Sequence, residues 1–138
     1  MASGEQHFNA AIQQQLDGNL IEAERLYKLF LRDHPARDDA YFGLGILRLG
    51  AGRNEEAVRQ FERALFLCPG NLDYWANLAT ANFAMGRIAD AEYAHMRALR
   101  IEPENAEIQK LRDDFAARPH LFGESAIQGA HAPARQVY

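Results

Sequence analysis

Prolines at positions 35, 69 and 103 are 34 residues apart, and four other columns keep the same spacing. Gly18, Gly52 and Gly86 form one; Ala23, Ala57 and Ala91 form a second; Glu22, Glu56 and Asp90 a third; Leu31, Leu65 and Leu99 a fourth. Columns in register to this degree define three units, residues 4–37, 38–71 and 72–105, with three residues before them and 33 after. A unit of this size cannot bury its apolar face alone, so neighbouring units must stack to make a continuous core.

Within a unit the apolar spacing is helical. In the second, Tyr41, Leu44, Gly45 and Leu47 mark one face, and Ala57, Phe61, Ala64 and Leu65 mark another beyond the break at Gly50-Ala51-Gly52. Pro69, following Cys68, ends the second helix because proline lacks an amide donor and its ring clashes with the preceding turn. Gly45, Ala57 and Ala64 let two helices approach closely, and Phe61 fills the space between turns. Composition agrees, since 24 Ala and 15 Leu stand against 7 Ile, 2 Val and the single Thr80, which favours helix over sheet.

On these residues the chain resembles the tetratricopeptide repeat family, whose pattern runs Trp-x2-Leu-Gly-x2-Tyr, then Ala-x3-Phe, then Pro. The second unit matches with Tyr41, Leu44, Gly45, Arg48, Ala57, Phe61 and Pro69; the third with Trp75, Leu78, Ala79, Asn82, Ala91, His95 and Pro103. The first unit is sparse in its opening helix (His7, Ala10, Ala11, Gln14) and sound in its second (Ala23, Tyr27, Pro35). Gln14, Arg48, Asn82 and His95 replace the usual aromatics, and local loosening of the packing is expected there. The resemblance implies an all-α fold: a right-handed superhelical array of three hairpins plus a C-terminal capping helix, an α-solenoid.

The ends read as caps. Gln13-Gln14-Gln15 stands where the second unit has Leu47-Arg48-Leu49, which suits a face on which no earlier repeat packs. Residues 106–118 are helical by pattern, with Ile108, Leu111 and Phe115 in one stripe and Glu107, Lys110, Asp113 and Asp114 outside it. A repeat domain is therefore expected over 4–118. Residues 119–138 hold one acid, one strong base, two prolines and two glycines, the composition of a flexible tail or linker, although Leu121, Phe122 and Ile127 give it the means to dock or to mediate self-association.

Catalytic and metal chemistry find little support. Ser3, Ser125 and Thr80 are the only aliphatic hydroxyls, and the five histidines form no His-Glu-x-x-His or comparable metal spacing. Gly43-Leu44-Gly45 lies inside a helix, without the strand and third glycine of a dinucleotide loop. Cys68 is the lone cysteine, so no intramolecular disulfide is expected, and no leader or spanning stretch is evident. The 15 bases and 19 acids are interspersed, which argues against nucleic acid. The expectation is a cytoplasmic protein with no catalytic residues, no cofactor and no metal.

What remains is surface. In the family that the chain resembles, the first helix of each repeat lines the concave side, and the matching positions here give a groove of Phe8, Asn9, Ile12, Phe42, Gly43, Ile46, Leu49, Asn77, Thr80 and Phe83. Glu5, Asp39 and Asp73 put one acid per unit at its edge. Phe8, Ile12, Phe42, Ile46 and Phe83 exceed what the hairpin core requires, and an apolar strip of that size marks a binding site. Gly43 leaves room beside Phe42 for a ligand side chain. Relatives that clamp the carboxylate end of heat-shock chaperones use Lys, Asn and Arg at positions occupied here by Phe8, Ile12, Gly43, Asp73 and Asn77, so that ligand is not expected. The sequence thus points to a non-catalytic protein-interaction scaffold holding an apolar peptide or helix, with basic residues of that ligand meeting the acidic edge. Two alternatives are the amino-terminal repeat segment of a larger enzyme, such as a glycosyltransferase, and a secretion-type chaperone.

Overall fold

The computed structural model describes residues 4–117, and every regular element among them is an α-helix. Two compact units divide after Pro69. The first holds α1 (Gly4–Leu16), α2 (Leu20–Asp33), α3 (Asp38–Gly50) and α4 (Asn54–Leu67); the second holds α5 (Leu72–Ala84), α6 (Ile88–Ile101) and α7 (Ala106–Ala116). The helix pairs fall within the 34-residue units read from the sequence. The closing helix ends at Ala116, with Ala117 as its C-cap. Residue 118, and the tail expected over 119–138 with its docking and self-association, lie outside the described residues.

The periodic residues do the work that their chemistry permits. Gly18, Gly52 and Gly86 take φ of 85°, 76° and 73° in the turn inside each hairpin, a left-handed conformation that a side chain disfavours. His34, Cys68 and Glu102 form the C-caps of the second helices, their amides donating to the carbonyls of Phe30, Ala64 and Ala98, and the column proline follows at once. Asn71 and Asn105 cap the helices after them: the Asn71 side chain accepts from the Tyr74 amide, and that of Asn105 from Glu107 and Ile108.

In the first unit α1 pairs with α2, α3 with α4, and α2 packs on α3. Its core includes Ala11, Ala23, Leu26, Tyr27, Phe30, Leu31, Ala40, Leu44 and Leu47. Close approach sets the small residues: a Cβ built at Gly45 would stand 2.5 Å from the ring of Phe61, which is fully buried. In the second unit α5 pairs with α6, and α7 packs against α6.

At three of the four positions where the aromatics of the pattern are replaced, Gln14, Arg48 and His95, the side chain makes a polar link. Arg48, 9% exposed, donates from Nε and Nη2 to Glu24 Oε1 at 3.2 and 3.0 Å, tying α2 to α3. Arg53 adds a bond to Glu24 Oε2 at 3.3 Å and pairs with Glu56. A buried charge of this kind is tolerable only with its hydrogen bonds made, and here they are made within the repeat pair. His95 bonds to the closing helix, and the Gln14 side chain accepts from Asn19 Nδ2 at 2.8 Å across the first turn.

Candidate functional site

The first unit brings the expected lining residues of two repeats together on α1 and α3, which touch. Phe8 is half-buried, its ring 5.2 Å from Phe30 and 6.2 Å edge-on from Tyr27. Asn9 is exposed, and Ile12 is 38% exposed. Phe42 is half-buried with its ring 5.8 Å from Phe61, and Ile46 and Leu49 are half-buried on the same helix. Phe8 and Phe42 thus rest on the aromatic interior of the hairpins while keeping part of their apolar area in water, and Ile12, Ile46 and Leu49 are partly exposed.

Gly43 has a different reason from the one expected. A Cβ there would lie 2.7 to 2.8 Å from Oη, Cε1 and Cζ of Tyr27, so the room beside Phe42 is taken by Tyr27 rather than left for a ligand. Tyr27 crosses from α2, and its hydroxyl donates to Gln15 Oε1 at 2.7 Å. Burial first, and the Asp39 carboxylate second, push the Tyr27 phenol up to about 12, so it stays a neutral donor over the ordinary pH range.

The acidic edge is also corrected. Glu5 and Asp39 do not wait for a ligand's cations, because Arg37 holds both. Its Nε and Nη2 meet the two oxygens of Asp39 at 3.1 and 3.0 Å, while Nη1 donates to Glu5 Oε1. The same guanidinium lies 5.2 Å from the centroid of Phe8 and 5.1 Å from that of Phe30. With its side chain 32% exposed, Arg37 contributes only modest pair energies of about 1 kcal/mol or less each. Its larger effect is to fix the start of α3 against α1. Two carboxylates share one guanidinium, so the cluster keeps a surplus negative charge.

Sequence reasoning missed Arg37. It occupies the column in which Asn71 and Asn105 are helix caps, and it is an N-cap residue without a side-chain cap bond. That break in an otherwise repeated cap was the available signal.

The remaining expected residues belong to the second unit. Asp73 is exposed, Asn77 Nδ2 donates to the Asp73 carbonyl at 2.8 Å, and the Thr80 hydroxyl donates to the Ala76 carbonyl at 3.1 Å, so both polar side chains are engaged by their own helix. Phe83 is a correction: it is 8% exposed and stacks on Phe115 of α7, ring centroids 4.1 Å apart and planes 16° apart, which makes it interior rather than lining. Among the described residues no group of three or more His, Cys, Asp or Glu is placed to hold a metal ion, and no helix is long and apolar enough to cross a membrane.

Against known proteins, the chain is 31% identical over 102 residues to Cellulose synthase operon protein C of Komagataeibacter xylinus, a match covering 74% of this chain and 8% of that protein. It therefore spans less than a tenth of that relative's length. Among solved structures, the first tetratricopeptide domain of Spaghetti, bound to an HSP90 peptide, superposes with a TM-score of 0.78 at 16% identity, covering 83% of this chain and 90% of that one. The Yersinia enterocolitica type III secretion chaperone SycD, in complex with a peptide of the translocator YopD, gives 0.72 at 18%, covering 82% and 86%. At such identities these two likenesses show the fold alone. The tetratricopeptide repeat model matches twice, over residues 17–71 and 44–106, and those spans contain the glycine, alanine and proline columns at their 34-residue spacing. The chain belongs to the tetratricopeptide repeat family.

Proposed function

We propose that this protein is a non-catalytic interaction module that holds an apolar segment of a partner on the α1–α3 face of its first unit. The observation that carries this reading is the row of partly exposed apolar side chains, Phe8 and Ile12 on α1 with Phe42, Ile46 and Leu49 on α3, fixed in place by Arg37 and Tyr27. Such a row costs free energy in water and repays it when a complementary apolar surface displaces that water. Phe8 is held from beneath by Phe30 and Phe42 by Phe61, so these two rings are positioned before a ligand arrives, which lowers the entropy cost of binding. The surplus carboxylate at the edge disfavours an acidic segment.

Two likenesses support a peptide as the ligand: the Spaghetti domain and SycD are each titled as peptide complexes. A second reading rests on the long relative. A match confined to 8% of Cellulose synthase operon protein C supports the role of one recruiting segment within a larger protein or assembly, a larger enzyme included.

The experiment is a fluorescence-polarisation panel of three labelled peptides of equal length: neutral and rich in Leu and Phe, the same with lysines added, and the same with acids added. The peptide with added lysines binds at least as tightly as the neutral one and the acidic one binds least, and Ile12→Glu with Ile46→Glu weakens the neutral peptide at least tenfold without loss of helicity by circular dichroism. Equal affinity for wild type and the double variant removes the α1–α3 face from the account.

A further inference from the structure

The lining of the first unit has one spacing, written twice. Glu5, Phe8 and Ile12 follow one another on α1 at intervals of three and four residues, and Asp39, Phe42 and Ile46 repeat that order on α3. The two apolar levels therefore lie roughly 4.5 and 10.5 Å along the helix beyond the acid. Arg37 bonds both acids and so holds the two helix starts side by side, which makes the levels on α1 and α3 run the same way. Charge sits at one end of this row. Arg37 meets both oxygens of Asp39 but only Oε1 of Glu5, whose side chain is 59% exposed and whose Oε2 accepts no hydrogen bond among the described residues. No lysine stands on α1 or α3, and their one arginine, Arg48, is buried against Glu24. Asp17, past the other end of α1, follows Ile12 by five residues, about 140° round the helix and off the row.

We propose, resting on the reading that the α1–α3 face is the binding site, that its ligand is an amphipathic helix with two large apolar residues four apart and a basic residue three further on, and that Glu5 selects that cation through Oε2. Spacing decides the conformation. A helix laid along the row rises by the same 1.5 Å or so per residue and presents i, i+4 and i+7 on one side, at the levels of Ile12, Phe8 and Glu5. An extended segment turns every second residue to one side, about 6.6 Å apart, so its third such residue overshoots the acid. Dipoles decide the direction. With the cation last, the ligand runs antiparallel to α1 and α3, its helix dipole opposes theirs, and the cation stands in the ligand's own final turn, where positive charge is stabilising. An exposed pair of this kind is worth up to about fivefold in affinity, and the apolar contact supplies the rest.

The test is fluorescence polarisation of the full chain with three labelled peptides of identical composition: leucines at i and i+4 with lysine at i+7, the same leucines with lysine at i+2 on the opposite side, and the first order reversed. The i+7 peptide is expected to bind about three- to fivefold tighter than either isomer, and Glu5→Gln abolishes that advantage. Equal binding of the i+7 and i+2 peptides, or an advantage that survives Glu5→Gln, overturns the selection by Glu5. A reversed peptide that binds as tightly as the first overturns the antiparallel arrangement, and a peptide that gains no helical circular dichroism on binding overturns the helix. Ile12→Glu with Ile46→Glu separates the two readings. If the isomers bind the wild type equally and this variant weakens them all, the motif falls and the apolar face stands; if it weakens none, the face falls as well.

Discussion

The Nε2 atom of His95 lies 2.6 Å from the carbonyl oxygen of Ile108, with both residues buried, so a side chain of α6 is bonded to the first turn of α7. A nitrogen facing a carbonyl must carry the hydrogen, so His95 Nε2 is the donor. The ring also meets Phe115 edge-on at 6.4 Å. His95→Phe keeps an aromatic in the column but removes the donor, and is expected to cost about 1–3 kcal/mol. His95→Ala loses the ring as well and costs more. Urea unfolding gives the two losses. Hydrogen exchange of the amides from Lys110 to Asp114 tells whether α7 is what comes loose, and unchanged protection in His95→Ala would show that the bond does not anchor it.

Gly43 and Tyr27 form a coupled pair. A methyl at Gly43 meets the Tyr27 ring at 2.7 to 2.8 Å, a ring that is 1% exposed with no room to retreat. Gly43→Ala alone is expected to destabilise by roughly 1–3 kcal/mol through overpacking, despite alanine's better helix propensity. In a Tyr27→Leu background the collision is gone, and the same substitution becomes neutral or gains up to about 1 kcal/mol. A double-mutant cycle reads the difference as a coupling energy, and additive effects would mean that the glycine answers to something other than Tyr27.

These two pairs show what a repeated sequence does and does not disclose. Columns at Gly18, Ala23 and Pro35 and their equivalents foretell helices, turns and close approaches because every repeat solves the same local problem. A column fails where the neighbour changes. The position of Phe83 in its repeat points to the groove, yet its partner Phe115 belongs to a closing helix with no counterpart in the other repeats. The pattern marks Arg48 as a loosened core position because its partner Glu24 lies in the preceding repeat, outside the pattern being matched. Arg37 was invisible for a related reason, since its role depends on Glu5 and Phe8 of another helix.

Glu24 sets the response to acid. Burial raises its pKa, but the hydrogen bonds from Arg48 and Arg53 and the charges of Lys28 and Arg53 outweigh that, and the folded value lies below the ordinary 4.5. A depressed folded pKa gives stability that is present above 4.5 and lost as pH falls through the folded value. The melting temperature of the wild type is therefore expected to fall as pH drops below 4.5, and Glu24→Gln flattens that part of the profile while lowering the plateau at neutral pH. An identical acid slope in the variant would assign the loss to other carboxylates.

Tyr27 sets the alkaline limit by the opposite sign. Its folded value of about 12 exceeds the ordinary 10, so the stabilisation is complete below pH 10 and is lost as pH rises toward 12, where only the unfolded chain ionises readily. Tyr27→Phe sacrifices the bond to Gln15, at a cost of about 1 kcal/mol, and removes one titrating group. Stability measured from pH 9 to 11.5 is expected to decline less steeply in the variant. A parallel decline in both would mean that the phenol is as accessible folded as unfolded.

The chemistry of the lining predicts which peptide fails. A ligand presenting a C-terminal carboxylate and acidic side chains needs cations, and the positions that would supply them hold Phe8, Ile12 and Gly43 in the first unit and Asp73 and Asn77 in the second. Phe8 is committed to Phe30 and Arg37, and Asn77 gives its amide to the Asp73 carbonyl. Arg37, the cation at the edge of the first unit, already serves Glu5 and Asp39, leaving a surplus negative charge to repel a carboxylate. Titration calorimetry with an acidic peptide bearing a free C-terminus is expected to give no binding heat at about 100 μM, a level at which a Kd of 1 μM, or −8.2 kcal/mol, would be unmistakable. Amidating the terminus should change nothing. Micromolar binding that disappears on amidation would show a carboxylate site, and Arg37→Ala would then test whether the guanidinium had left its own carboxylates to form it.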